Sequence, residues 1–533
     1  MDQQSYTDKG IPECSSGLNH VAQVKSITKN SPRSTRRSAV GQNENPTRRS
    51  KRKRKRRIFN DVDFELEITS KEEERMIKQA LKNSVAMKKV SVIGFNFDNI
   101  ELVPTLEPSE EEFKNPIQYI RSKHALGLKF GALHIKPPKS WNPVFAFNPH
   151  KYRFETRKQT VNKLQQGEGW PSGGNYSLDE YQRMANGFRE RYIGRAGIGN
   201  SLQDIEKHYW DIVNGKRGEV VVEYGNDIDT SKSGSGFSSD EKSPWNLTKI
   251  AQSPDCPLSL FQHDIKGVTV PWLYCGMMFS SFCWHCEDNH LASINYVHKG
   301  SPKVWYVAPA KDAAKLESVM KQHLPCLFDS EPDLIHKLCT TIDPSMLLAG
   351  DVPVRKVVQR EGTFVVTYPR GYHSGFNTGF NVAEAVNVGY DEWFSYGRRC
   401  ARMYRIAGRP SVFCHDKLLL DYVNHKKGRV SNSVLEELRF MINYQRRWDY
   451  DFRMKRMRLN AQRLFEYDDE KHQCLICQNH CFLAYTSCSC IPGAKFCMEH
   501  TVGQCTCPLE WKTLHHSTVY HKMCRDLDIK FKI

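Results

Sequence analysis

The chain has 533 residues, 39% of them hydrophobic and 26% charged, with a formal net charge of +17 and 18 cysteines. That length accommodates two or three domains with sizeable cores. No apolar run of about 18 residues and no charged-then-apolar start occurs, which argues against membrane insertion and secretion, so the cysteines read as thiols and metal ligands rather than a disulfide framework.

Residues 1–60 hold 15 Lys and Arg against four acids, so +11 of the charge sits there and +6 remains for the rest. Much of the excess is the run Lys51-Arg52-Lys53-Arg54-Lys55-Arg56-Arg57, preceded by Arg48-Arg49, among Ser, Asn and Gln. Such a segment buries too little apolar surface to offset its chain entropy, so residues 1–95 are expected to form a disordered basic tail. The run suits nuclear import or contact with nucleic-acid phosphates, and a solvated linker would have the same composition.

From about Leu102 the character changes. The stretch Pro104-Thr105-Leu106-Glu107-Pro108-Ser109-Glu110-Glu111-Glu112-Phe113 predicts a helix running through Tyr119-Ile120, with acids in the first turn where the helix dipole favours them. An extended segment follows at Pro137-Pro138-Lys139-Ser140-Trp141-Asn142-Pro143. Phe154 to Gln159 and Tyr176 to Tyr192 predict strand followed by helix, Ile205 to Trp210 continues the pattern, and Val220 to Gly225 is a β-branched strand. The Gly/Ser/Asp-rich stretch from Asp229 to Ser243 is a loop.

The chemistry concentrates in His285-Cys286-Glu287 and His373, in segments that both read as strands. Two imidazoles and one carboxylate on one face of an octahedron leave three positions open, the arrangement of non-haem Fe(II) oxygenases. A His-x-acid triplet is a weak signal, because about two would arise by chance among 20 histidines, although only His285 has an acid two residues on. Strand alternation lets His285 and Glu287 face one cavity while Cys286 faces away.

The flanking runs strengthen the signal. Pro271-Trp272-Leu273-Tyr274-Cys275-Gly276 leads to Ser281-Phe282-Cys283-Trp284-His285; Ser293-Ile294-Asn295-Tyr296-Val297-His298 leads to Pro302-Lys303-Val304-Trp305-Tyr306; and Thr367-Tyr368-Pro369-Arg370-Gly371-Tyr372-His373 leads to Ser374-Gly375-Phe376-Asn377. These runs resemble the JmjC domain of histone lysine demethylases, in the JARID branch acting on lysine 4 of histone H3, with a plant-type architecture. The resemblance extends from about Leu102 to about Cys507. It implies a mixed α/β chain built on a JmjC double-stranded β-helix, a cupin-like jelly roll. The implied divisions are a JmjN module at 100–145, a linker forming the N-terminal part of the catalytic core at 150–225, JmjC at 226–408, a helical domain at 409–470 and a C5HC2 zinc finger with tail at 471–533.

The same resemblance implies iron ligands at His285, Glu287 and His373, with 2-oxoglutarate and O2 as co-substrates. Lys303 is the matching cation for the distal carboxylate of 2-oxoglutarate, helped by Tyr224, Ser293 and Asn295. Phe282 stacks beside the co-substrate, and Trp305 either lines the pocket or fills the barrel. Tyr274, Asn377 and Asn387 match residues near the methylated lysine, the metal or the peptide; buried Tyr and Asn also serve simply to satisfy a barrel's hydrogen bonds. The implied reaction is N-methyl hydroxylation of lysine 4 of histone H3, releasing formaldehyde and succinate.

The C-terminal region adds independent evidence, with nine of the 18 cysteines after residue 470, eight of them in Cys474-x2-Cys477-x3-Cys481-x6-Cys488-x-Cys490-x6-Cys497-x2-His500-x4-Cys505-x-Cys507. Zinc takes four thiolate or imidazole ligands, and paired short spacings deliver them; an iron–sulfur cluster is the competing reading. The C5HC2 resemblance implies two structural Zn(II) sites, Cys474, Cys477, Cys497 and His500 in one, Cys488, Cys490, Cys505 and Cys507 in the other, with Cys481 left to packing. Between barrel and finger, His415 to Leu464 shows helical spacing and a basic stretch from Arg446 to Arg463, either solvated or in contact with DNA or the nucleosome.

Lys299, where the family usually has Trp, together with Cys286, Asn289 and His290, departs from the family pattern but spares every implied ligand. The expected partners are the histone H3 tail, nucleosome or DNA, and chromatin-targeting proteins, with the nucleus as location. Two other readings remain: a chromatin scaffold that keeps the fold, and a demethylase or hydroxylase of another histone lysine or nonhistone protein.

Overall fold

The computed structural model describes residues 95–530 except 168, 241, 331–339, 456–457, 460–463 and 504. The basic tail and its import signal lie outside them. The strands are Thr105–Leu106 (β1), Ala132–Ile135 (β2), Arg153–Thr160 (β3), Ser172–Ser177 (β4), Val221–Asp229 (β5), Trp272–Gly276 (β6), Ser281–His285 (β7), Ala292–Gly300 (β8), Lys303–Ala308 (β9), Arg355–Gln359 (β10), Phe364–Thr367 (β11), Tyr372–Asn377 (β12), Asn381–Val388 (β13), Arg458–Leu459 (β14), Ala484–Cys488 (β15) and Lys512–His516 (β16).

Two sheets make the barrel. The larger runs β1-β2-β11-β8-β13-β6-β5-β3-β4 and the smaller β10-β9-β12-β7, the two-sheet form of a cupin-like jelly roll. Strands β8, β9 and β13 are buried almost throughout, because one face lines the barrel interior and the other is covered by flanking elements. Val307, Trp305, Val357, Val365 and Ala132 form an inner cluster; alternate residues of the same strands face outward.

The N-terminal module covers the outer face of the larger sheet. Its organisation corrects the expected single helix: Thr105-Leu106 is drawn off as a parallel strand beside β2, and the helix begins only at Pro116, capped by the Asn115 side chain. Proline fits the first helical position because its missing N–H would be unpaired there. Phe113 stacks on Trp245 at 4.5 Å, Trp245 Nε1–H donates to the Phe113 carbonyl at 2.6 Å, and the Tyr368 hydroxyl donates to the Ile120 carbonyl at 2.9 Å. The loop from Asp229 likewise differs in part, closing β5 and making one helical turn at Thr230–Ser233.

Behind the smaller sheet lies the helix Leu202–Val213. Its Tyr209 ring stacks on Phe376 at 4.0 Å, and its Glu206 accepts hydrogen bonds from the Tyr306 hydroxyl at 2.6 Å and from Lys356 Nζ at 3.0 Å. A second buried polar group closes the other side. Glu384 on β13 accepts from Ser235 Oγ at 2.7 Å, from the Gly236 amide at 2.9 Å and from His298 Nε2 at 3.0 Å. Gly236 is required there, since a Cβ would run into the His298 ring. Replacing Glu384 by alanine strands these donors in a dry site, and equilibrium urea unfolding is expected to register a loss of about 3–5 kcal/mol; a loss below 1 kcal/mol would show that water replaces the carboxylate.

The helices His415–His425 and Asn432–Met454 lead from the barrel to a small sheet ordered β14-β16-β15. The apolar spacing expected of the helical segment is present, with Leu418, Leu419, Val434 and Leu438 in the same core as the barrel's outer face. Among the described residues no helix is long and apolar enough to cross a membrane.

Candidate metal centre and co-substrate pocket

β7 and β12 pair antiparallel with His285 directly opposite His373, so one register brings both imidazoles to the mouth of the barrel, ring centroids 4.1 Å apart. Alternation along β7 does not produce this. Gly375 pairs with Phe282 while His373 pairs with His285, so Cys283 and Trp284 together oppose Ser374 in a β-bulge. The extra residue turns both Phe282 and His285 inward, whereas Cys283 and Trp284 join the outer core. Gly375 permits the close approach, because a Cβ there would collide with the Val304 carbonyl and the Phe282 ring.

Glu287 is not on the strand, contrary to the simple reading of alternation. β7 ends at His285, and Glu287 precedes a short 3-10 turn at Asp288–His290. Its backbone stays extended, so its carboxylate still turns to the same side as the imidazoles. Oε1 lies 3.3 Å from His373 Nε2, and Oε2 accepts from Asn387 Nδ2 at 2.9 Å. Each imidazole has Nδ1 against a carbonyl two residues back, His285 to Cys283 at 2.7 Å and His373 to Gly371 at 3.1 Å. An acceptor there keeps the proton on Nδ1 and leaves Nε2 free as a metal ligand.

The ligand atoms of His285, Glu287 and His373 all lie within 4.8 Å of one another. Burial alone would raise the pKa of Glu287, but the bond and charge of His373, with His285 and Asn387, outweigh it and bring it to about 2. Burial, with His373 beside it, lowers that of His285 to about 4. The triad therefore presents an ionised carboxylate and a neutral imidazole at neutral pH, which is the protonation a divalent cation needs.

Lys303 begins β9 and points into the barrel, with Trp305 and Val307 on the same face and Val307 paired with His373. It is 2% exposed, its Nζ donates to the Tyr224 hydroxyl at 3.0 Å, and it lies 4.8 Å from the Phe282 ring centre. Among the described residues no carboxylate pairs with it. Burial lowers its pKa to about 7. An unpaired cation in so dry a site is unfavourable unless an anion arrives. The buried Asn295 side-chain oxygen, an acceptor, also lacks a partner among the described residues. The ammonium of Lys303, bonded among the described residues only to a hydroxyl, fits a dicarboxylate reaching from the triad.

The other expected residues are distributed around this axis. Ser293 shares a 2.6 Å hydrogen bond with Thr367, and Asn387 pairs with Ser293 across the sheet. Trp305 donates to Gln359 at 2.9 Å, and its ring lies 5.9 Å from that of His373, so it both fills the barrel and lines the pocket. Tyr274 stands 6.2 Å from Tyr224, ring to ring, and burial pushes its hydroxyl well above the usual range, which keeps it a proton donor. Asn377 lies opposite Lys303 rather than beside Glu287, and its amide bonds Ser280 and Asn381. Thr367 and Gln359 were not legible in the sequence, because only strand register reveals them. Lys299 packs over the rings of Phe145 and Phe380.

Because Asn387 bonds the Glu287 carboxylate, Asn387→Ala is expected to weaken metal binding by the triad about 10–100-fold. Calorimetric Mn(II) titration would read this directly, and an unchanged affinity would remove Asn387 from the site. In the finger, Cys474, Cys477, Cys497 and His500 form one group and Cys488, Cys490, Cys505 and Cys507 another, each with ligand atoms within 4.8 Å, so both can hold a metal ion. Cys481 is buried beside the first group, with its thiol on the Asn479 carbonyl.

A two-sheet barrel carrying two imidazoles and a carboxylate beside a buried lysine defines a JmjC-type oxygenase fold. Residues 272–388 match the family described as JmjC domain, hydroxylase, and residues 104–137 match the jmjN domain. The chain is 32% identical to lysine-specific demethylase JMJ703 of Oryza sativa subsp. japonica, over 76% of this chain and 39% of that protein. It is 37% identical to lysine-specific demethylase JMJ17 of Arabidopsis thaliana, over 66% of this chain and 31% of that protein, and 37% identical to lysine-specific demethylase 5B of Gallus gallus, over 66% and 24%. The chain thus spans well under half the length of these relatives. It carries both a JmjN and a JmjC domain and is similar to these lysine-specific demethylases over about two thirds or more of its own length.

Proposed function

We propose that this protein is an Fe(II)- and 2-oxoglutarate-dependent histone demethylase acting on lysine 4 of histone H3 in chromatin. The observation that carries the reading is the buried Lys303 ammonium, without a carboxylate partner among the described residues, on the strand that pairs with His373 of the His285, Glu287 and His373 group. Choice of lysine 4 rests on the resemblance to the JARID branch, while relatives named lysine-specific demethylases support lysine demethylation as such.

When bound, iron with 2-oxoglutarate and dioxygen would supply the oxidising power to hydroxylate an N-methyl group, which leaves as formaldehyde while the co-substrate becomes succinate and CO2. His285, Glu287 and His373 would hold the metal on one face, leaving the other face to co-substrate and oxygen. Lys303 and Tyr224 would bind the distal carboxylate, with Asn295 and Ser293 completing its polar wall and Phe282 and Trp305 excluding water. Tyr274 would present a hydroxyl and an aromatic face to the methylated ammonium. Asn387 would hold Glu287 in place, and Asn377 would brace the strand that carries His373. The two finger clusters would bind structural zinc. Histone H3 is the proposed substrate, with nucleosomal DNA as a contact of the basic segments, targeting proteins as partners and the nucleus as the site of action.

Trimethylated H3 peptides, modified separately at lysines 4, 9, 27 and 36, would be incubated with the protein, Fe(II), ascorbate and 2-oxoglutarate and weighed by mass spectrometry. Stepwise loss of CH2 from the lysine 4 peptide alone, absent in His285→Ala, supports the reading. Loss from another peptide instead reassigns the substrate, no loss from any points to a scaffold, and gain of one oxygen on a protein target points to a hydroxylase.

A further inference from the structure

We propose that Cys414, Asp469 and His480, with the hydroxyl of Tyr467, form a third zinc-class metal site where the helical segment meets the finger. The ligand atoms of the first three lie within 4.8 Å of one another, the same span that defines the two finger clusters. Asp469 Oδ1 is 3.7 Å from His480 Nδ1. Between donor atoms of the first finger cluster the separations are 3.3 Å for Cys497 to His500 and 3.8 Å for Cys477 to Cys497. The Tyr467 hydroxyl closes the set, 2.8 Å from Asp469 Oδ1 and 2.9 Å from His480 Nδ1.

The placement suits a structural staple. Cys414 is the residue before the helix His415–His425, Tyr467 and Asp469 precede the first finger ligand, and His480 lies between Cys477 and Cys488. A cation there ties three separate chain segments together. The Cys414 thiol is buried and the His480 side chain only 7% exposed, whereas Asp469 is 48% exposed and opens the site to solvent. Thiolate, carboxylate and imidazole carry two negative charges, which a divalent cation neutralises, and a mixed sulfur, nitrogen and oxygen set with an oxygen-filled fourth position is one that zinc accepts. Neither finger cluster uses any of these residues. Without a metal, the same four groups would be a hydrogen-bonded hub around Tyr467, and the two arrangements differ in metal content.

The test is a zinc count on the full chain by element-specific mass spectrometry, with the barrel triad saturated by Ni(II) so that it contributes none. Three zinc ions per chain are expected in the native protein, and two in both Cys414→Ser and His480→Asn. A native count of two overturns the proposal, as does a count of three retained in both variants. A fall below two in both variants also overturns it, because a separate site would leave the finger clusters loaded. In the cobalt-substituted protein, one thiolate-to-cobalt band should vanish with Cys414→Ser while the bands of the cysteine-rich clusters persist.

Discussion

Under the proposed function, His373→Ala is expected to lower demethylation turnover by about a thousandfold or more, with the fold intact. The imidazole is 2% exposed and paired by register with His285, so its loss removes one of the three proposed ligands and leaves Glu287 facing only one imidazole. The remaining pair can still bind a divalent cation weakly, so Mn(II) affinity should fall by at least about two orders of magnitude while the melting temperature of the ligand-free protein changes little. Single-turnover assays at saturating Fe(II) separate weaker metal binding from lost chemistry. Turnover within tenfold of the native value would mean that His373 is not a ligand.

The second large effect concerns Lys303. Burial holds its pKa near 7, whereas an exposed lysine titrates near about 10.4. If Lys303 holds the distal carboxylate of 2-oxoglutarate as proposed, that carboxylate requires the ammonium form, so above pH about 7 binding must also take up a proton, and the KM for 2-oxoglutarate should rise by up to tenfold per pH unit. The sign for folding follows from the same shift. A folded-state pKa below the unfolded value means that the buried ammonium opposes folding most strongly below pH 7. That cost fades as pH rises toward the unfolded value, so this group makes the ligand-free protein more stable with increasing pH. Lys303→Met should abolish co-substrate binding at accessible concentrations and, at pH 6, stabilise the ligand-free protein by a few kcal/mol. Calorimetry of 2-oxoglutarate binding between pH 6 and 9 checks the first half and urea unfolding of the ligand-free protein over the same range checks the second; an affinity flat across that range would exclude Lys303 as the carboxylate's partner.

Other parts of the molecule respond independently of these two residues. Glu384 holds the outer wall of the barrel through Ser235, Gly236 and His298 and touches none of the triad, so its loss should lower stability without changing metal affinity. Asn387, bonded to Glu287, should do the reverse. A double substitution of the two should therefore be close to additive in stability.

Much of the site was legible in the amino-acid sequence because its chemistry depends on residue types that few other contexts bring together. A His-x-Glu triplet and a later histidine in a strand mark the group that the fold brings together, and the family resemblance singles out the lysine opening another strand as the proposed counter-charge of a co-substrate. The short spacings of the finger cysteines mark pairs of metal donors, because they bring donors together whatever the surrounding fold, whereas the interleaved grouping into two sets of four comes from the C5HC2 resemblance. Local pattern also specified the β-branched strand at Val221 and the helices after His415, since apolar periodicity is written into each segment.

Tertiary structure decided what local pattern cannot encode. The bulge opposite Ser374 turns Phe282 and His285 to the same side, and alternation alone would have separated them. Glu287 lies beyond the end of its strand, and the early part of the expected N-terminal helix became a strand because β2 offered it an unpaired edge. Thr367 and Gln359 matter only through the neighbours that register places beside Ser293 and Trp305. The physical reason is the same in each case. Residue type sets what a group can coordinate or donate, whereas pairing between distant strands sets which groups meet, and that is decided by long-range packing around a shared core.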